Sequence, residues 1–207
     1  MVDKYSGEVK IVEDGFMKLY KNFKTEDWKF FNEDEFGSKV YKRDSSILIK
    51  KPIRNLFAEE ITYQFWNIDK KFKMSWDESI EDIKLIKMID DSTAILHVIF
   101  KSVLLVSKRD IVMYSKIKQI DDNTWIVINH SLKNFKETKD IVRISLDVVM
   151  LVKQKGSTRD DVECEMFYYG DVNLKGWLSD DIVKYQCGYK WPQVLENLCK
   201  STRLSLG

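Results

Sequence analysis

Between Ile80 and Val172 the chain alternates runs of β-branched residues with short polar breaks, and this feature constrains its fold more than any other. Ile83, Leu85, Ile89, Ile95, Val98 and Phe100 sit in the first two runs, parted by Asp90-Asp91-Ser92. Ile111–Ile120 and Thr124–Ser131 flank Asp121-Asp122-Asn123, whose short side chains bond their own backbone and favour a hairpin turn. Ile141–Lys153 and Val162–Val172 follow, turned by Gly156-Ser157-Thr158. The spacing predicts roughly six antiparallel strands, with one sheet face toward solvent and one toward the interior.

The flanking segments supply helices to cover the interior face. Glu8–Asn22 sets Val9, Val12, Phe16, Leu19 and Tyr20 at helical spacing. Short strands are expected at Trp28–Asn32, Lys39–Arg43 and Ser46–Ile53. Asn55 can cap a second helix running to about Trp66, and a helical turn near Asp69–Lys73 leads into Trp76-Asp77. The last element, Asp180–Arg203, reads as a helix capped by Ser179 or Asp180, with Val183, Cys187, Val194, Leu195 and Leu198 on its apolar face. Pro192 lacks an N–H and is expected to kink or break it near Trp191. With no linker or repeat, residues 1–207 read as a single α+β domain, a curved antiparallel sheet wrapped around a long C-terminal helix. If the sheet curls, the two enclose a cavity.

Composition narrows the function. Lys+Arg (34) nearly cancels Asp+Glu (33), and a net charge of +1 gives no field for nucleic acid. No run of about 18 apolar residues occurs, so no membrane span is expected. The N-terminal residues show neither an apolar signal core nor the myristoylation pattern. Cys164, Cys187 and Cys199 are odd in number and widely spaced, which fits a reducing, cytosolic setting. His97 and His130 stand alone, so structural roles are expected for them and neither a metal nor a cofactor is implied. Lys108-Arg109-Asp110 has Ser115 where a kinase catalytic loop needs Asn, and no nucleophile elbow or P-loop occurs; an enzyme is not expected.

Several motifs occur in order from Trp76 to Arg203: Trp76-Asp77 before the first long strand, a segment from Phe100 ending in Arg109-Asp110, Ile141-Val142-Arg143 at a strand start, and Asp171 to Lys175-Gly176 before the last helix. Together they resemble the START (StAR-related lipid transfer) family, nearest in the Gly176-to-Pro192 spacing to phosphatidylcholine-transfer members. The resemblance implies a helix-grip fold with an internal cavity for one lipid. It further implies transfer between membranes without chemistry, and a monomeric, cytoplasmic protein that touches membranes transiently. The cargo it implies is a phospholipid.

The sequence also departs from that pattern. The three positions of the choline-binding aromatic cage fall on Val98, Ile111 and Asp147, and the phosphate-binding arginine on Lys73, which is either a surface lysine or a phosphate contact without the bidentate fork. The acid and arginine of sterol-binding members fall on Val98 and Ser115.

Arg109 and Asp110 should point to opposite faces of a strand, one of them as a headgroup anchor or as part of a structural ion pair. Arg143 is either a headgroup contact or a sheet-stabilising pair, and Asp147, among apolar neighbours, is either solvated or a buried charge needing a partner. Val183 and Cys187 complete the lipid-binding set on the final helix. Val103, Leu104, Leu105 and Val106, between Lys101 and Lys108, form a core strand or a loop that dips into a bilayer, with Trp191 beside it in docking. Two rival readings remain: a lipid sensor without transfer, and a helix-grip enzyme using Arg109, Asp110 and Asp147.

Overall fold

The computed structural model describes residues 5–102, 107–137, 139–173 and 186–206. Helix α1 (Ser6–Lys21) and a short 3₁₀ turn precede strands β1 (Lys29–Glu33), β2 (Lys39–Arg43) and β3 (Ser46–Arg54). Helices α2 (Ala58–Trp66) and α3 (Lys70–Trp76) come next. The long strands are β4 (Ile80–Asp90), β5 (Thr93–Phe100), β6 (Arg109–Asp121), β7 (Thr124–Ser131), β9 (Ser145–Lys155) and β10 (Glu163–Asn173), with the short β8 (Val142–Arg143) between β7 and β9. A π-helical stretch, Gln186–Lys190, leads into α4 (Trp191–Leu206). The strands form one curved sheet in the order β1-β2-β3-β10-β9-β7-β6-β5-β4, antiparallel throughout except that β8 runs parallel to β6.

Period-two alternation sorts the strand residues into two cores. Ala94, Leu96, Val98, Ile111, Val148 and Met150 face one side, where α2, α3 and α4 bring Ile61, Phe65, Trp76, Leu195 and Leu198 against them. Ile95, Val112, Tyr114, Val149 and Leu151 face the other, where α1 lays Val9 and Phe16. We call the first face concave and the second convex. The sequence reading left one face to solvent, but α1 covers part of it. That second cover is why Val148 through Val152 form an unbroken apolar run, all buried.

Two boundaries differ from expectation. Asn55 adopts a left-handed conformation (φ 61°) and does not cap α2. The helix starts at Ala58 instead, where the Phe57 N–H donates to the Glu60 carboxylate at 2.8 Å and the Ala58 N–H to Gln154 Oε1 at 3.0 Å. Pro192 is the second residue of α4, where its missing N–H has no intrahelical partner to lose. The irregularity expected near Trp191 lies at the junction where the π-helical residues end at Lys190 and α4 begins. Ser179, Asp180 and Val183 lie outside the described residues.

Candidate functional site

Four aromatic rings from four elements run across the concave face. Phe65 (α2) lies 6.0 Å from Trp76 (α3) and 6.1 Å from Tyr168 (β10), centroid to centroid. Tyr168 in turn meets Trp191 (α4) edge-on at 5.7 Å. Asp69 caps α3 by accepting the Phe72 N–H at 2.7 Å, which fixes the helix start. Lys73 and Trp76 then share a helix face by their i, i+3 spacing. The Lys73 ammonium donates to the Phe65 carbonyl and stands 5.2 Å from the Phe65 centroid and 5.4 Å from that of Trp76. Burial lowers its pKa to about 8, against the opposing pull of Asp77. The Trp76 indole N–H is buried and has no hydrogen-bond partner among the described residues.

Polar side chains on the inner strands are few. Ser115 pairs opposite Ala94 across β5–β6, and Asn129 opposite Ser115 and Val148, so both lie on the concave side. Both are buried. Val98 and Ile111, paired with each other, extend the same surface as apolar groups. Arg109 shares it at the strand end, opposite Phe100; it donates to the Ser107 carbonyl at 2.8 Å, and burial lowers its pKa. Sequence reasoning missed Asn129. Its signal was parity, since it stands two residues from the inward Val127 within a β-branched run.

Three expected headgroup contacts lie on the convex side. Asp110 is fully buried there, accepting Arg143 Nε at 2.7 Å and Nη2 at 2.9 Å and meeting His97 Nε2 at 2.8 Å. Asp147 meets His130 Nδ1 at 2.9 Å, and His130 Nε2 reaches Glu8 of α1 at 3.2 Å. The hydrogen bond to Asp147 raises the His130 pKa, desolvation opposing it and Glu8 adding to it. Of the two readings open for Asp110, Arg143 and Asp147, the geometry favours structural pairs, because strand parity turns them away from the concave face. Trp191, expected in docking, is partly buried, with its ring against Tyr168 and the concave core. Val103, Leu104, Leu105, Val106 and Val183 lie outside the described residues, as does the side chain of Cys187.

One ion pair crosses the concave core. Lys51 of β3 meets Glu196 of α4 at 2.7 Å and donates to Ser38 Oγ at 3.3 Å. Burial pushes the thiols of Cys164 and Cys199 up, to about 12 and about 11, so neither is a nucleophile at neutral pH. No cluster of metal-ligating side chains occurs among the described residues, and no helix among them is long and apolar enough to cross a membrane.

An antiparallel sheet gripping a C-terminal helix, with an apolar inner face and few polar groups on it, defines a helix-grip domain. The START domain model matches residues 14–203, and the chain belongs to that family. Ceramide transfer protein from Pongo abelii is 24% identical over 202 residues, covering 90% of this chain and 30% of its own length. The human ceramide transfer protein is 25% identical over 187 residues, covering 79% of this chain and 30% of its own length. The chain thus spans about 30% of these relatives. Human StAR-related lipid transfer protein 5 shares the fold with a TM-score of 0.80 and 18% identity, covering 98% of both chains.

Proposed function

We propose that this domain binds one lipid between its concave face and helices α2, α3 and α4 and carries it between membranes without altering it. The observation that carries the reading is the division of polar groups between the two faces. The paired charges Asp110–Arg143 and Asp147–His130 are spent on the convex side. The concave side keeps a mainly apolar surface with few polar groups: Ser115, Asn129, Arg109, Lys73 and the Lys51–Glu196 pair that ties β3 to α4. Such a surface suits acyl chains, worth about 0.8 kcal/mol per fully buried methylene, with selection by a few polar groups. The ceramide transfer proteins among its relatives support a lipid cargo and its transfer.

A phospholipid is the cargo we favour, with Lys73 as the cation nearest the headgroup. Membrane contact would fall to the segment Val103–Val106, whose flanking residues Lys101 and Ser102 are exposed. The protein would act as a monomeric, peripheral carrier. The decisive experiment is exchange of a panel of labelled lipids between donor and acceptor liposomes at catalytic protein concentration. Fast exchange of one lipid class is expected. No exchange by folded protein, with a lipid still bound, would replace transfer with sensing.

A further inference from the structure

A Lys ammonium within about 6 Å of an aromatic centroid occupies the electron-rich face where a ligand cation would otherwise sit. Phe65 and Trp76 form such a place on the concave side, both nearly buried, their centroids 6.0 Å apart with ring planes tilted by 33°. The chain fills it with its own Lys73, at 5.2 and 5.4 Å, and anchors the ammonium on the Phe65 carbonyl. The carboxylate acting on Lys73 is that of Asp77, whose Oδ1 accepts the Ser79 N–H at 3.0 Å and the Ser79 hydroxyl at 2.5 Å. Beside this cation the Trp76 indole N–H is a buried donor with no acceptor among the described residues. The corner therefore offers a ligand positive charge and an indole donor.

We propose that Lys73 plugs the Phe65–Trp76 cation site, so that the domain excludes lipids whose headgroup carries an ammonium and accepts lipids whose headgroup offers only acceptors, such as a phosphodiester without choline or ethanolamine. A second cation at this place would meet the first in a poorly solvated setting and find its aromatic faces taken. A phosphate oxygen would find the Lys73 protons and the Trp76 N–H, the latter otherwise left unpaired. This inference rests on the lipid-binding reading and adds the headgroup class to it.

The test compares two lipids that differ in the ammonium. The protein is incubated with vesicles of phosphatidylcholine containing an equal share of phosphatidylmethanol of the same acyl chains, and captured lipid is read by native mass spectrometry. Capture of phosphatidylmethanol is expected to exceed that of phosphatidylcholine by about tenfold. Lys73→Ala opens the aromatic pair and should raise phosphatidylcholine capture by about the same factor, whereas Lys73→Arg keeps the plug and the exclusion. Equal capture of both lipids by the wild type overturns the plug and leaves lipid binding standing. So does a folded Lys73→Ala protein, checked by circular dichroism, whose selectivity is unchanged. Capture of no lipid at all removes the lipid-binding reading, and the plug with it. If Lys73→Ala fails to fold, the wild-type comparison alone decides.

Discussion

Lys51 of β3 and Glu196 of α4 form an ion pair at 2.7 Å within the concave core, where Lys51 retains 2% of its exposure. A charge buried this far depends on its partner, and removing one member leaves the other uncompensated, at a cost of about 3–5 kcal/mol. Lys51→Met or Glu196→Leu should each lower the unfolding free energy by about 3 kcal/mol in urea titrations. The double variant Lys51→Met/Glu196→Leu should recover most of that loss, since two apolar groups of similar size leave nothing unpaired. Additive losses in the double variant would show that the two residues act independently.

Asp110 presents the same dependence on the opposite face. It accepts both a bidentate Arg143 and His97. Asp110→Asn removes the charge that holds Arg143 and should cost about 3 kcal/mol of stability. Lipid capture per folded molecule should stay unchanged, because none of these groups faces the concave side. A folded Asp110→Asn protein that loses lipid would return Asp110 to the binding site.

These pairs mark where the sequence stopped being legible. The strand runs, both hairpin turns at Asp90-Asp91-Ser92 and Asp121-Asp122-Asn123, and the exact span of β2 are local signals, carried by alternation and turn chemistry. Family motifs supplied the helix-grip topology that alternation alone leaves open. Which face each strand turns inward is different information, because a register shift of one residue exchanges the faces. With both faces of β9 buried, Val148 and Val149 look alike in sequence, and Asp147 could be assigned to either side. The α1 docking that resolves it depends on contacts such as Glu8 with His130, 122 residues apart. The Lys73–Phe65–Trp76 cluster escaped for a related reason: it is assembled from two helices whose crossing no spacing rule fixes.

His130 lies between Asp147 and Glu8, and its folded pKa is raised above the ordinary value of 6.5. A histidine with a raised folded pKa stabilises fully below its unfolded pKa, and that stabilisation is lost as pH rises through the folded value. Stability should therefore fall as pH climbs from about 6 toward 8. His130→Gln should flatten that slope, and Glu8→Gln should reduce it. Lys73 acts in the opposite sense above its value of about 8, where the unfolded chain holds the extra proton, so urea midpoints are best compared below that pH. An unchanged slope in His130→Gln would assign the pH dependence to other groups.

Gly188 sits in the π-helical stretch that delivers the chain to α4, packed directly on the Phe31 ring of β1. A Cβ at this position would come within 2.0 Å of Phe31 Cε1 and 2.7 Å of Cδ1, closer than carbon atoms can approach. Phe31 has little room to yield, being packed on the concave core and edge-on against Tyr189 at 6.0 Å. Gly188→Ala should therefore destabilise by about 1–3 kcal/mol, as overpacking does. Trimming the ring should relieve the clash, so Gly188→Ala/Phe31→Val should lose less than the sum of its single variants, by at least about 0.5 kcal/mol in a double-mutant cycle. Because Gly188 lies three residues before Trp191 and the start of α4, the same single variant should also expose the Tyr168–Trp191 contact, read as a shift in tryptophan emission toward the red. Simple additivity with unchanged emission would mean that this stretch does not hold α4 against β1.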